Sequence, residues 1–292
     1  MAISRQQLTK ELEPGLNALF GLEYSRYDNQ HAEIYTTESS DRAFEEEVML
    51  SGFAGAPTKQ EGASVVFDQA NEAYTARYTH ETIALAFSIT EEAIEDNLYD
   101  RLAQRYTRAL ARSMSNTKQV KAAQVLNQAQ FTAVTGGDGV PLIANNHPLS
   151  NGGTFSNVLA TAADLNETSL EQALIDIQGF VDERGLKIAL NGRKMIIPKE
   201  LQFTAERLMK STLRTGTADN DINAINNMGM VPEGYRVNNF LTDTDSFFLL
   251  TDVPNGLKHF ERSPIKTALE GDFDTGNVRF KARERYSFGF SD

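Results

Sequence analysis

Few side chains in this chain combine the type and spacing that chemistry needs. The four histidines, His31, His80, His147 and His259, are far apart, and none forms the His-x-x-x-His pair that sets two zinc ligands on one helix face. Asn146-His147-Pro148 reads as a turn carrying a histidine. Asp243 and Asp245, in "LTDTDS", have the Asp-x-Asp spacing of a carboxylate pair for acid–base or metal chemistry. A turn between two apolar strands accounts for them more simply, because aspartate bonds its own backbone there. "GFAGAP" and "TGGDGVP" are glycine-rich, but neither ends in Gly-Lys-Ser/Thr or opens a helix, so neither reads as a phosphate-cradling loop. There is no Gly-x-Ser-x-Gly elbow. No catalytic, cofactor-binding or metal-binding residue is assigned, and the expectation is that the chain is not an enzyme.

Two rows of cations stand out instead. Arg101, Arg105, Arg108 and Arg112 fall within about 60° of one another on a helix turning 100° per residue. In the closing stretch "NVRFKARERYSFGFSD", strand periodicity sets Val278, Phe280, Ala282, Tyr286 and Phe288 on one side. Arg279, Lys281, Arg283 and Arg285 take the other. Either row alone reads as a solvated face. Together, in a chain of formal net charge −12, they point to local contact with a polyanion or with acidic segments such as "FEEEV" on another copy. No module that reads DNA sequence is visible.

Composition frames these rows. The chain's 292 residues, 40% hydrophobic and 23% charged, are enough to bury a sizeable core. A sequence pI near 4.9 argues against an overall nucleic-acid clamp. Absence of cysteine removes disulfides, thiolate catalysis and sulfur-ligated zinc, as suits a reducing compartment. No stretch has the roughly 18 apolar residues of a membrane span, and no signal core opens the chain. A cytoplasmic site of assembly is expected, with no membrane partner.

The elements follow from periodicity. Residues 1–47 read as an N-terminal arm: an apolar series Leu8, Leu12, Leu16, Leu19 and Phe20 broken at Pro14-Gly15, then a polar stretch that leans on something else. Residues 48–89 read as a long hairpin. Gly52, Gly55, Pro57 and Gly62 form its tip, with Pro57, Thr58 and Lys59 at the apex, and a strand runs from Tyr74 to Thr90. A two-stranded projection is not stable by itself, which predicts packing on a neighbouring subunit. From about Glu91 to Gln130 a helix is predicted, with Ile94, Leu98, Leu102, Tyr106, Leu110 and Met114 as its apolar series. Residues 131–167 are a connector. Residues 168–260 read as a compact mixed α/β domain whose first helix starts with a Thr168/Glu171 capping box and stops at Gly185, with Pro198 near the start of its second. "TLRTGTADNDINAINNMGM" reads as a surface loop, and "YRVNNFL", "SFFLLTD" and "LKHFERS" as short strands. Residues 261–292 supply a return strand. The fold class is α+β.

This order of parts resembles the major capsid protein of tailed bacteriophages, the Hong Kong 97-like fold. Its N-arm, E-loop hairpin, long spine helix, P-domain sheet and compact A-domain match the segments in turn. "PLIANNHPLSNGGTFSNVLATAADLNETSLEQALIDIQGFVDERGLKI", "MIIPKELQFTAERLMKS" and "GNVRFKARERYSFGF" are similar to the corresponding regions of Mu-type major head subunits. The spine helix and connector would then be P-domain, residues 90–167, rejoined by 261–292. The resemblance implies hexamers and pentamers of this chain closing an icosahedral virion shell around double-stranded DNA, contacted without sequence preference. It also implies portal and decoration partners. No long charged helix precedes the arm, so a separate scaffolding protein is expected. Lys59 is read as a solvated lysine, not as the donor of the isopeptide crosslink known in one branch of the family. An encapsulin-type nanocompartment has the same fold and is the alternative.

Overall fold

A computed structural model describes residues 5–90, 92, 99–150, 152–214, 221–253, 256–272 and 275–291. In chain order these form helix α1 (Arg5–Arg26) and strands β1 (Thr36–Ser39), β2 (Phe44–Leu50), β3 (Glu72–Thr79) and β4 (Glu81–Ile89). The long helix α2 (Tyr99–Asn127) follows, then two-residue strands β5 (His147–Pro148) and β6 (Thr154–Phe155) and helix α3 (Glu167–Gln178). Next come β7 (Gly192–Ile197), α4 (Gln202–Lys210), α5 (Ala224–Met228), β8 (Tyr235–Val237) and β9 (Phe248–Thr251). The long strands β10 (Leu257–Gly271) and β11 (Val278–Phe290) close the chain. Contacts divide it into two units.

The first unit holds residues 1–45, 78–122 and 259–288. Its sheet has the order β1-β10-β11-β4, with β11 antiparallel to β4 and Phe280 opposite Phe87. Leu16 and Phe20 of α1, Ala103, Leu110, Ala111 and Met114 of α2, and Phe280 and Ala282 of β11 form one core cluster. Helix α1 runs through Pro14 without breaking, contrary to the expected stop. Pro14 is exposed, and burial of Leu16 and Phe20 stabilises by about 1.5–3 kcal/mol each, against about 3 kcal/mol for a mid-helix proline. Side chains at Leu8 and Leu12 fall outside the described residues. The polar stretch after α1 folds into its own unit, with Ile34 and Tyr35 buried and Tyr35 Oη donating to the Ala122 carbonyl at 2.7 Å.

On α2 the buried face is Ala103, Thr107, Leu110, Ala111, Met114, Ser115 and Gln119, and the predicted series does not coincide with it. Residues four apart advance about 40° per step, so a strict series of four leaves any straight face. Leu110 and Met114 lie on that face, whereas Tyr106 sits on the flank, 49% exposed, its ring 5.7 Å from that of Phe87. Ile94 and Leu98 lie outside the described residues, as does the side chain of Leu102.

The strand expected from Tyr74 to Thr90 is two strands. β3 pairs with β2 and β4 pairs with β11, so the chain changes sheets at His80. His80 is buried there, held by Ser40 Oγ at 2.9 Å and Ser287 Oγ at 3.0 Å. Ser40 gives its one proton to Glu45 at 2.6 Å, so the ring must carry its proton on Nε2.

The second unit holds residues 46–77, 123–258 and 289–292. A sheet of order β8-β7-β9 lies in its core, with β7 parallel to β8 and antiparallel to β9. Leu170 and Leu174 of α3, Met195 and Ile197 of β7, Ala205 and Leu208 of α4, and Ile225 of α5 pack together. α3 begins at Asn166, not at Thr168: Asn166 and Ser169 cap each other, 2.9 and 3.0 Å apart. It ends at Gly179, six residues before the expected stop at Gly185. Part of the asparagine-rich stretch forms α5, because the Asn223 side chain accepts from Ile225 N at 3.1 Å and caps it. "LKHFERS" opens the long strand β10 in place of a short strand of the compact domain. In "TGGDGVP", Gly137 lies against β3, where a Cβ would meet the Thr75 carbonyl carbon at 2.7 Å. Glycine permits that close approach.

Candidate assembly surfaces and basic rows

Between β2 and β3 the chain makes a loop without regular structure beyond one turn at Glu61-Gly62. Pro57, Thr58 and Lys59, the expected apex, are exposed, as are their neighbours throughout the loop. Phe53, Val65, Val66 and Phe67 also face solvent, Phe67 with 93% of its surface free. Apolar exposure concentrated on one segment marks a surface that another molecule covers.

Arg184 holds the base of this loop. Its Nε donates to the Gly52 carbonyl at 3.1 Å and its Nη2 to the Gln69 carbonyl at 2.7 Å, so one side chain ties both ends. Asp68 lies 3.6 Å from the same guanidinium and accepts from Ala54 N at 2.8 Å. Those backbone donors hold the Asp68 carboxyl below its ordinary range. Asp182 accepts from Arg184 N and Leu186 N at 2.9 and 2.7 Å, shaping the turn that presents Arg184. Charge-assisted bonds of this kind contribute about 1.5–3 kcal/mol. Arg184→Ala is therefore expected to raise cleavage within residues 53–70 by about tenfold or more in limited proteolysis, with global unfolding changed less.

The two cationic rows are both in the first unit. Arg105, Arg108 and Arg112 are exposed on α2, and the side chain of Arg101 lies outside the described residues. On β11, Arg279, Lys281 and Arg283 are exposed and Arg285 is half-buried. Arg279 is bound to Asp272. The same alternation puts Glu284 in the buried row, between Ala282 and Tyr286, where it is 1% exposed. Lys118 Nζ lies 3.5 Å from its Oε2, and Tyr24 Oη donates to that oxygen at 3.2 Å. Burial pushes the Glu284 carboxyl up, with Lys118 and Tyr24 opposing.

Beside this ion pair the fold joins two histidines that are 228 residues apart in the chain. The His31 and His259 rings are 5.4 Å apart, edge to face, and His259 stacks on Phe288 at 4.4 Å. Gln119 Oε1 accepts from His31 N at 3.1 Å, which fixes the amide so that its Nε2 donates to His31 Nδ1 at 2.9 Å. His31 is thereby held neutral. Burial, then the nearby Lys118, lowers its pKa to about 4 and that of His259 to about 3.

The other candidates stay apart. Asp243 and Asp245 are exposed in the bend before β9, where the Asp243 carboxylate raises the pKa of Asp245. His147 Nδ1 pairs with Asp138 at 2.7 Å. Among the described residues, no group of three or more histidine, aspartate or glutamate side chains could hold a metal, and no helix is long and apolar enough to cross a membrane.

A family model described as phage capsid protein matches residues 73–292. Three solved structures share the fold. The capsid of bacteriophage JBD30 decorated with minor capsid protein trimers is 13% identical with a TM-score of 0.53, over 74% of this chain and 92% of that one. The capsid of a native GTA particle is 12% identical with a TM-score of 0.50, over 91% and 88%. A virus-like particle from Pyrococcus furiosus is 11% identical with a TM-score of 0.50, over 94% and 93%. No curated protein matches. With the family model covering three of the four strands of the first sheet, the long helix and the compact α/β core alike, the chain belongs to the phage capsid protein family, as a major capsid protein of the Hong Kong 97-like fold.

Proposed function

We propose that this capsid protein is a structural, non-catalytic building block that associates as hexamers and pentamers and closes an icosahedral head around double-stranded DNA. The observation that carries this reading is the loop 53–67. Its apolar side chains find no burial in their own subunit, and burying Phe67 against another copy would stabilise by about 1.5–3 kcal/mol per subunit. Repeated around a closed shell, that modest term becomes cooperative. Assembly in the host cytoplasm with a separate scaffolding protein, a portal and decoration proteins completes the proposal. A nanocompartment built on the same fold is separated by its contents, cargo protein in place of nucleic acid.

Negative-stain electron microscopy of the purified full chain, alone and with its scaffolding protein, tests the reading. Rings or uniform closed shells are the expected result. A compact monomer under every condition would overturn it.

A further inference from the structure

The two cationic rows cannot both line the interior of a thin shell wall. Phe280 and Ala282, which alternate with Arg279, Lys281 and Arg283 along β11, pack against Leu110, Ala111 and Met114 of α2. The strand cations therefore project from the sheet face turned away from α2. On α2, the arc of Arg105, Arg108 and Arg112 is centred roughly 120° from the centre of the whole buried face and roughly 150° from that of Leu110, Ala111 and Met114, which pack on the sheet, at 100° per residue. The rows lie on opposite sides of the sheet-and-helix layer.

The two sides differ in chemistry. Across from Lys281 and Arg283, β4 offers Ala86 and Ala84, which supply no hydrogen-bonding side chain. Alongside α2 there is a groove of about 610 Å³, lined by Tyr27, Arg108, Arg112, Ser113 and Asn116. Glu23 also borders it, but its carboxylate is engaged by Arg26 at 3.7 Å and by Tyr27 Oη at 3.5 Å. Arg105, Arg108 and Arg112 form no ion pair with any described residue.

One alternative occupant, the acidic stretch 44–48 of a second copy, loses its carboxylates within its own subunit. Glu45 accepts from Ser40, Glu46 pairs with Arg77 at 2.8 Å, and Glu47 is bound by Lys258 and Ser291. A groove offering guanidinium forks and hydroxyl and amide donors suits an acceptor-only ligand, and arginine forks match phosphate oxygens in pairs. Arg108 and Arg112 are about 6 Å apart along the helix axis. Each strand of a duplex carries one phosphate per about 3.4 Å of its axis, so two guanidiniums spaced this way can each meet a different phosphate.

We infer that the α2 groove, with Arg105, Arg108 and Arg112, is a non-specific binding site for the phosphate backbone of duplex DNA, and that the β11 row is not. This rests on the proposed reading of a DNA-filled shell and gives it an inner face. The chain's net charge of −12 keeps such contacts weak and salt-sensitive.

The test is duplex-DNA binding by the full-length protein before shells close, with the groove accessible, from about 50 to 200 mM salt, and the same preparations are then assembled and imaged by electron microscopy. Removing one phosphate-binding side chain flattens the log–log salt dependence by about 0.9, so R108Q/R112Q is expected to lose about 2 in slope. R108K/R112K is expected to keep it, and K281Q/R283Q to match the wild type. If R108Q/R112Q fails to fold, Arg105→Gln serves in its place, with an expected loss of about 1. The proposal is overturned if the wild-type protein does not bind duplex DNA, if the strand pair carries the slope, or if poly-glutamate binds the groove in place of DNA. Unaltered slope in a variant that then assembles normally refutes the groove alone; absence of rings and shells refutes the shell reading and leaves the slope to judge the groove.

Discussion

Glu284→Met is expected to cost about 3–5 kcal/mol of unfolding free energy, the usual consequence of removing one partner of a buried ion pair. Its carboxylate is 1% exposed and Lys118, at 3.5 Å, only 12%. Without Glu284 the ammonium retains the Tyr286 ring, 5.1 Å from Nζ, but no other ion-pair partner among the described residues to offset its desolvation. Lys118→Met is expected to cost less, because a glutamate whose carboxyl burial already pushes up neutralises itself by binding a proton. The double variant K118M/E284M removes both charges in similar volume and is expected to recover most of the loss. Denaturant unfolding of all four proteins closes the cycle, with a coupling of about 2 kcal/mol or more expected from groups in contact. Additive losses would show that the pair contributes nothing as a pair.

That pair also marks where sequence reasoning stops. Alternation along β11 is legible residue by residue, and it places Glu284 among the buried positions as firmly as Phe280. Its partner is not legible, since Lys118 lies on a helix 166 residues earlier and only the packing of α2 on the sheet brings them together. The His31–His259 contact is hidden for the same reason. Local signals did locate the long helix, the glycine-rich loop between β2 and β3 and the alternation along β11, because each depends on neighbours within a few residues. They misjudged places where tertiary burial outweighs local preference: the helix that continues through Pro14, and the strand that changes sheets at His80. Helix α2 shows a subtler failure. Its core face uses alanine, threonine and serine where a close-packed sheet leaves little room, so a search for large apolar residues at intervals of four finds Tyr106 on the flank instead.

Acid is expected to loosen the same region, with the sign set by the histidines. In the unfolded chain both bind protons near pH 6.5, whereas in the folded chain His31 does so at about 4 and His259 at about 3. Between these limits the unfolded state carries more protons, so stability rises with pH, and it is lost as pH falls from 6.5 toward 3. At 1.36 kcal/mol per pKa unit the two together amount to several kcal/mol. Geometry explains the cost: protonated His31 Nδ1 could no longer accept from Gln119, and either imidazolium would form beside Lys118 and the other ring. Glu284 acts with the opposite sign, since a carboxyl raised by burial favours the folded state as it takes up its proton. Burial lowers His80 in the same way, so it is one group against three and the histidines are expected to dominate. Thermal unfolding of the full chain at fixed protein concentration, across pH 7 to 4, should show a steep fall in Tm that His259→Asn makes shallower. The slope is the readout, so a variant less stable at pH 7 still reports. An unchanged slope would mean that His259 is already charged in the folded protein, and the buried neutral pair would have to be abandoned.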